Sequence, residues 1–166
     1  MSPDDVSADE RAGMVERQLR RRGIHDERVL AAMGRVPREL FVSRALREAA
    51  YADAALPIGD EQTISQPYMV ALICEQLALQ GSERVLDVGT GSGYQAAVLA
   101  ELGAQVVTIE RIPELAEQAR AALEGAGYSQ VDVRVGDGTL GVRDRAPFDA
   151  IAVAAAARWA RAASAS

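Results

Sequence analysis

The sequence predicts an α/β fold: a mostly parallel sheet with helices on both faces, preceded by a mainly helical N-terminal portion. Three observations lead there. Four short apolar runs, at 84–88, 105–109, 131–135 and 148–153, are separated by helix-length segments. The first of them, in Val85-Leu-Asp-Val-Gly-Thr-Gly-Ser-Gly-Tyr94, runs directly into a glycine turn. The second ends on a carboxylate, Glu110. Strands joined through helices of this length pair in parallel by right-handed crossovers. Runs that are apolar on both sides suit a sheet covered by helices.

The elements follow in order. Residues 8–22 read as a helix with Met14, Val15, Gln18, Leu19 and Arg22 on one side, closed by Gly23. Arg20, Arg21 and Arg22 are the one dense basic cluster. They read as a solvated helix end, where cations meet the negative pole of the helix, with a phosphate site as the alternative. A second short helix follows Asp26 and turns Val29, Leu30 and Met33 inward. Pro37 interrupts, and Phe41, Val42, Ala45 and Leu46 indicate another short helix. The stretch 51–65 has no clear period and reads as an ordered connection with an extended piece. Pro67 then opens a helix carrying Val70, Ile73 and Leu77, with Gly81 at its end.

Within the α/β part, a helix over 94–102 carries Ala97, Val98 and Leu102. Another, opened by Pro113, turns Leu115, Ala119 and Leu123 inward. The expected strand order is 3-2-1-4. The fourth strand is then an uncovered apolar edge, a place where chains can associate. Residues 156–166 are alanine-rich and of low complexity, and read as a fraying helix. The organisation is one domain over 1–166: a mainly helical part to residue 80, a cofactor-binding core over 81–155, and the tail.

Composition narrows the function classes. A chain of 166 residues with 49 % apolar content builds one domain with a real core. No apolar run approaches the roughly 20 residues of a membrane span. The acidic start Met1-Ser-Pro-Asp-Asp lacks the features of a secretory signal. One cysteine, Cys74, leaves no disulfide to form within the chain. A cytoplasmic monomer with no membrane partner is expected. A net charge of −6 argues against nonspecific nucleic-acid binding, which needs clustered basic charge. His25 and Cys74 are single residues, so one chain cannot build a zinc cluster or a Cys/His catalytic pair.

The glycine turn carries the chemistry. Gly89, Gly91 and Gly93 let the chain turn sharply and let a ligand approach backbone. A dinucleotide fingerprint has glycine at the sixth position, where Tyr94 stands here. No Gly-Lys-Ser or Gly-Lys-Thr follows, so this is not a nucleotide-triphosphate loop. Glu110 is placed to accept both hydroxyls of an adenosine ribose and to repel a 2′-phosphate. Asp137 can accept from an adenine amino group or terminate its loop, since Asp-Gly is a common turn pair. Asp87 can orient the turn or a cationic amino-acid moiety. Tyr94 can pack over the turn. Thr90, Ser92 and Arg111 complete the expected cofactor site. Ser65 has a second reading as a helix cap ahead of Gln66-Pro67.

Four stretches resemble the protein-L-isoaspartate O-methyltransferases, a family within the Rossmann-like enzymes that use S-adenosylmethionine. They are Val36-Pro-Arg-Glu-Leu-Phe-Val42, Gln62-Thr-Ile-Ser-Gln-Pro-Tyr-Met69, Val85 to Gln95, and Gly136-Asp-Gly138 with Ala146-Pro-Phe-Asp-Ala-Ile151. The Thr-Ile-Ser-Gln-Pro stretch is more specific than the glycine turn. The likeness covers about residues 10–155. It implies methyl esterification of the abnormal free α-carboxyl of isoaspartyl peptides and proteins, with S-adenosyl-L-homocysteine as product. It implies Ser65 as the active-site residue, with Thr63, Ile64 and Gln66 beside the acceptor. It further implies Glu110 at the ribose and Asp137-Gly138 at the adenine.

An α-carboxylate has a pKa near 3.5 and needs no strong base at neutral pH. Alignment and exclusion of water remain to be supplied. Family members continue for roughly 50 further residues, so the C-terminal strands are expected to be missing. Three rivals stand: a small-molecule methyltransferase, a nicotinamide dehydrogenase, and a noncatalytic remnant or interaction module.

Overall fold

The computed structural model describes residues 3–154, and the alanine-rich tail read as a fraying helix lies outside them. Helix α1 (Pro3–Met14) starts earlier than its apolar side suggests. It runs on through a π-helical segment, Val15–Leu19, and a 3-10 turn, Arg20–Arg22. Gly23 ends the run with a left-handed residue at φ 98°. Arg20 pairs with Glu16 and Glu27, Arg21 with Glu16, and Arg22 with Asp53. The cluster is therefore matched by carboxylates and is not a bare cationic patch.

Helix α2 (Glu27–Arg35) is capped by Asp26, whose carboxylate accepts from the N–H groups of Arg28 and Val29. Its apolar side, Val29, Leu30 and Met33, is buried as the period requires. After Pro37 the chain makes two 3-10 turns, Arg38–Phe41 and Arg44–Ala49, in place of the expected short helix. Ala45 is exposed and Leu46 only half-buried, so too little apolar surface faces the core to hold a longer helix. The extended piece within 51–65 is a hairpin of β1 (Leu56–Gly59) and β2 (Gln62–Ile64). Its two turn residues, Asp60 and Glu61, both have positive φ, at 48° and 57°.

Helix α3 (Pro67–Leu77) ends at Ala78, which takes the left-handed cap at φ 49°, rather than at Gly81. Stopping there turns Leu79 into the core, a tertiary demand that outweighs the preference for glycine. The main sheet comprises β3 (Arg84–Val88), β4 (Gln105–Glu110), β5 (Asp132–Val135) and β6 (Ala150–Val153). All pairings are parallel, and the spatial order is β5-β4-β3-β6, the expected 3-2-1-4. Helices α4 (Tyr94–Glu101) and α5 (Pro113–Gly125) make the first two crossovers.

Alternation along the strands sorts residues to two faces. Val85, Val106, Val133 and Ala152 join the main core with the helices. Leu86, Val107 and Ile109 face the other way and pack with Val142 and Phe148 from a stretch of 3-10 turns. Strand β6 forms one edge of the sheet, where Ile151 and Val153 stay more than half exposed. No helix among the described residues is long and apolar enough to cross a membrane.

Candidate active site

The site sits at the C-terminal ends of the parallel strands, beside the place where β3 has neighbours on both sides. Open α/β sheets bind ligands in such crevices. Val88 passes the chain into Gly89, whose N–H donates to the Ile109 carbonyl at 2.9 Å. The turn closes when Gly93 N–H donates to Thr90 O at 2.8 Å. Gly91 has φ 53°, and a Cβ added there would lie 3.5 Å from Ile58 Cδ1 of the hairpin. Gly93 has φ 89°, and its missing Cβ leaves room for Leu123 and Ala119 of α5. Gly93 therefore needs glycine for helix packing, while at Gly91 the left-handed φ favours glycine and the approach to the hairpin is ordinary contact.

Glu110 reaches back under this turn. One carboxylate oxygen accepts from Gly91 N–H at 2.9 Å and the other from Ile112 N–H at 3.1 Å. The residue is 8 % exposed, so these contacts hold it firmly. Each oxygen retains an unused lone pair. Two adjacent acceptors in a fixed plane fit the paired hydroxyls of a ribose.

Thr63, Ile64 and Ser65, at the end of β2, border the same cavity as Gly89, Thr90, Gly91 and Ser92. Ser65 is half-buried. It is not the helix cap: that position belongs to Gln66, with no side-chain capping bond. Gln66 turns its amide to Asp53 Oδ1, at 2.6 Å, away from the cavity. The serine-containing segment and the glycine turn, 24 residues apart in sequence from Ser65 to Gly89, thus share one cleft.

Other expected site residues are placed differently. Asp87 is completely buried behind the turn, accepting from Gln95 Nε2 at 2.8 Å and Thr108 Oγ1 at 2.9 Å. Burial pushes its pKa up to about 6, against the two hydrogen bonds that favour the charged form. Tyr94 contributes backbone to the turn, but its ring leaves the site. The ring is 1 % exposed, meets Phe41 edge-on at 5.7 Å, and lies under the Arg38 guanidinium. Its apolar surroundings in the front helices explain why it does not face the ligand side.

Asp137 is exposed and caps the 3-10 turn Gly138–Leu140, accepting from the Thr139 hydroxyl at 2.7 Å and its N–H at 2.9 Å. Those bonds, with Arg111 nearby, hold its pKa below the usual value. Arg111 itself is exposed. Gly138 leaves no space for a side chain, since a Cβ would fall 2.5 Å from Val88 Cγ1. Asp137, Gly138 and Arg111 lie off the wall shared by Ser65 and the glycine turn.

Sequence reasoning missed Val70, Gln95 and Ala154, which also border the cleft. Gln95 carried a signal: it is the one polar side chain inside the apolar run Tyr94-Gln-Ala-Ala-Val-Leu-Ala100. Among the described residues no group of three metal-ligating side chains occurs.

The comparisons with known proteins agree with one another. The family model for protein-L-isoaspartate(D-aspartate) O-methyltransferase matches residues 10–161. A Protein-L-isoaspartate O-methyltransferase 1 of Syntrophobacter fumaroxidans is 63 % identical over 142 residues, 86 % of this chain and 66 % of that protein. A protein-L-isoaspartate O-methyltransferase of Methanoculleus marisnigri is 58 % identical over 89 % of this chain and 67 % of its own. The chain thus spans about two thirds of the length of these relatives. A solved protein-L-isoaspartate O-methyltransferase superposes with a TM-score of 0.79 at 32 % identity, covering 86 % of this chain and 47 % of that one. A Plasmodium falciparum protein described as a beta-aspartate methyltransferase, solved with S-adenosyl-L-homocysteine, gives 0.73 at 26 % identity over 87 % and 73 %. A Rossmann-like methyltransferase sheet, a front helical layer and the matched motifs together place this chain in the protein-L-isoaspartate O-methyltransferase family.

Proposed function

We propose that the chain carries the cofactor-binding and acceptor-facing elements of an S-adenosylmethionine-dependent protein-L-isoaspartate O-methyltransferase. The observation that carries this reading is the cleft shared by Ser65 and the glycine turn, with Glu110 hydrogen-bonded to Gly91, one of the residues that line it. S-adenosylmethionine supplies, when bound, a methyl group already activated on a sulfonium. The residues of the chain do the rest. Glu110 takes the ribose hydroxyls, and the turn N–H groups and Gly91 admit the ligand close to backbone. Ser65 donates its hydroxyl proton to one oxygen of the acceptor's α-carboxylate and leaves the other free to attack. Thr63 and Ile64 flank that oxygen and restrict water. No general base is required, because the carboxylate is already ionised at neutral pH. Alignment of oxygen, methyl and sulfur is then the main contribution to rate.

The specific partners are isoaspartyl-containing peptides and proteins. The chain acts as a monomer, and the β6 edge, which no described strand pairs, is with Ile151 and Val153 the surface through which it would self-associate. The test is methyl transfer from labelled S-adenosylmethionine to an isoaspartyl peptide, beside its aspartyl isomer and a panel of small acids. Ser65→Ala should lower transfer at least about tenfold while binding of S-adenosyl-L-homocysteine stays within about twofold. Equal loss in both measurements would remove Ser65 from the acceptor side. Turnover of small acids in preference to the peptide would replace the reading by a small-molecule methyltransferase.

A further inference from the structure

The mechanism above leaves Gln95 without a role, although its position is unusual. It stands in the first turn of α4, is 5 % exposed, and borders the cleft. Its Nε2 donates to Asp87 Oδ1 at 2.8 Å, and its Oε1 has no hydrogen-bond partner among the described residues. A buried amide oxygen left without a donor costs about 1–3 kcal/mol.

The surrounding proton order fixes which way this amide faces. Thr108 Oγ1 donates to Asp87 Oδ2 at 2.9 Å, which uses its one proton. The contact between Thr90 Oγ1 and Thr108 Oγ1, at 2.7 Å, is then donated by Thr90. Every proton in the chain points toward Asp87. Flipping the Gln95 amide would set its oxygen against the Asp87 carboxylate, so the acceptor atom stays directed away from Asp87. The cleft wall at Thr90 and Gln95 thus offers side-chain oxygen lone pairs and no free N–H or O–H from these side chains, with Gln95 Oε1 itself shut off from bulk water. A buried carboxylate stands directly behind both.

We propose that Gln95 is a specificity-determining residue of the cofactor site: its Oε1, together with Thr90 Oγ1, accepts hydrogen bonds from the primary ammonium of the ligand's amino-acid tail. The inference rests on the S-adenosylmethionine reading and adds to it the group that tells an amino-acid-bearing nucleoside from one without the amine. The chemistry selects a donor with positive charge. An acidic or neutral acceptor group in the same place would meet lone pairs and the field of Asp87.

Binding of three probes tests this by calorimetry: S-adenosyl-L-homocysteine, its analogue lacking the α-amino group, and 5′-methylthioadenosine, which lacks the whole tail. With the unaltered chain, loss of the amino group should weaken binding about tenfold to a hundredfold. In Gln95→Met that ratio should fall to within about threefold, while 5′-methylthioadenosine binds as before. Gln95→Glu, with one proton held between its carboxyl and that of Asp87 in place of the Nε2 bond, keeps an acceptor oxygen directed away from Asp87 and should preserve the ratio, which covers the case in which the methionine variant fails to fold. An unchanged ratio in Gln95→Met, a lost ratio in Gln95→Glu, or no effect of the amino group on the unaltered chain would each overturn the assignment. If no probe binds the unaltered chain, the cofactor reading fails and takes this inference with it. If the adenosine probes bind without amino discrimination, only the assignment of Gln95 fails.

Discussion

Replacing Glu110 by glutamine removes one acceptor and leaves the side chain's shape nearly intact. In the native molecule the two carboxylate oxygens take Gly91 N–H at 2.9 Å and Ile112 N–H at 3.1 Å. A glutamine has one oxygen and one NH2, so one of those buried donors must face another donor. Hydrogen bonds to a charged group contribute about 1.5–3 kcal/mol, so the variant should lose roughly that much stability. The same reasoning applies to the ligand. The amide oxygen can serve one ribose hydroxyl, and the NH2 cannot serve the second. The affinity for S-adenosyl-L-homocysteine should fall about tenfold to a hundredfold. Urea unfolding measures the first quantity, and calorimetry with the ligand and its 2′-deoxy analogue measures the second. The unaltered chain should discriminate strongly against the deoxy analogue, and the variant much less. Full ligand affinity in a stable Glu110→Gln chain would refute the placement of the ribose.

Three further outcomes are expected. Asp87 has its folded pKa raised from 3.8 to about 6 by burial. Its contribution to stability is present in full below its ordinary pKa and is lost as pH rises through 6, a swing of roughly 3 kcal/mol at most. Urea titrations between pH 4 and 7 should show that slope in the native chain relative to Asp87→Asn; parallel profiles would contradict it. Gly93→Ala combines φ 89° with contacts of 3.2–3.4 Å to Leu123 and Ala119, and should cost about 1–3 kcal/mol in urea unfolding. Glu61→Gly relieves a left-handed residue in the β1–β2 turn and should raise stability by about 0.5–1 kcal/mol, read as a higher urea midpoint at constant slope.

How far the molecule could be read from its residues varies by element. The four parallel strands were legible because each is a short apolar run bounded by helix-length spacers, and their order followed from the crossovers. The hairpin was not, because its turn lacks the Asn-Gly or Asp-Gly signal and uses Asp60 and Glu61 instead. The end of α3 was misplaced for a related reason: Ala78 adopts a cap that glycine would favour, driven by burial of Leu79. Within the site, Glu110 and the glycine turn could be paired from strand position alone. The proximity of Ser65 could be expected only through family resemblance, since a hairpin of unforeseen geometry delivers it. Tyr94 misled because a residue adjacent to a ligand turn can aim its side chain either way. Gln95 was overlooked because a lone amide in an apolar helix carries no motif.

The ring of Tyr94 has a consequence for any attempt to shorten the molecule from its beginning. Helix α4 starts at the glycine turn, and its first side chain is anchored among Phe41, Arg38 and Met33 of the front layer. The loop that greets the nucleoside is thereby bolted to residues fifty to sixty positions upstream. Deleting those early helices would strip an inner support from the binding loop, although none of them borders the cleft. The front of this chain is scaffolding for the pocket, and a minimal nucleoside-binding fragment excised from the sheet alone would lack it.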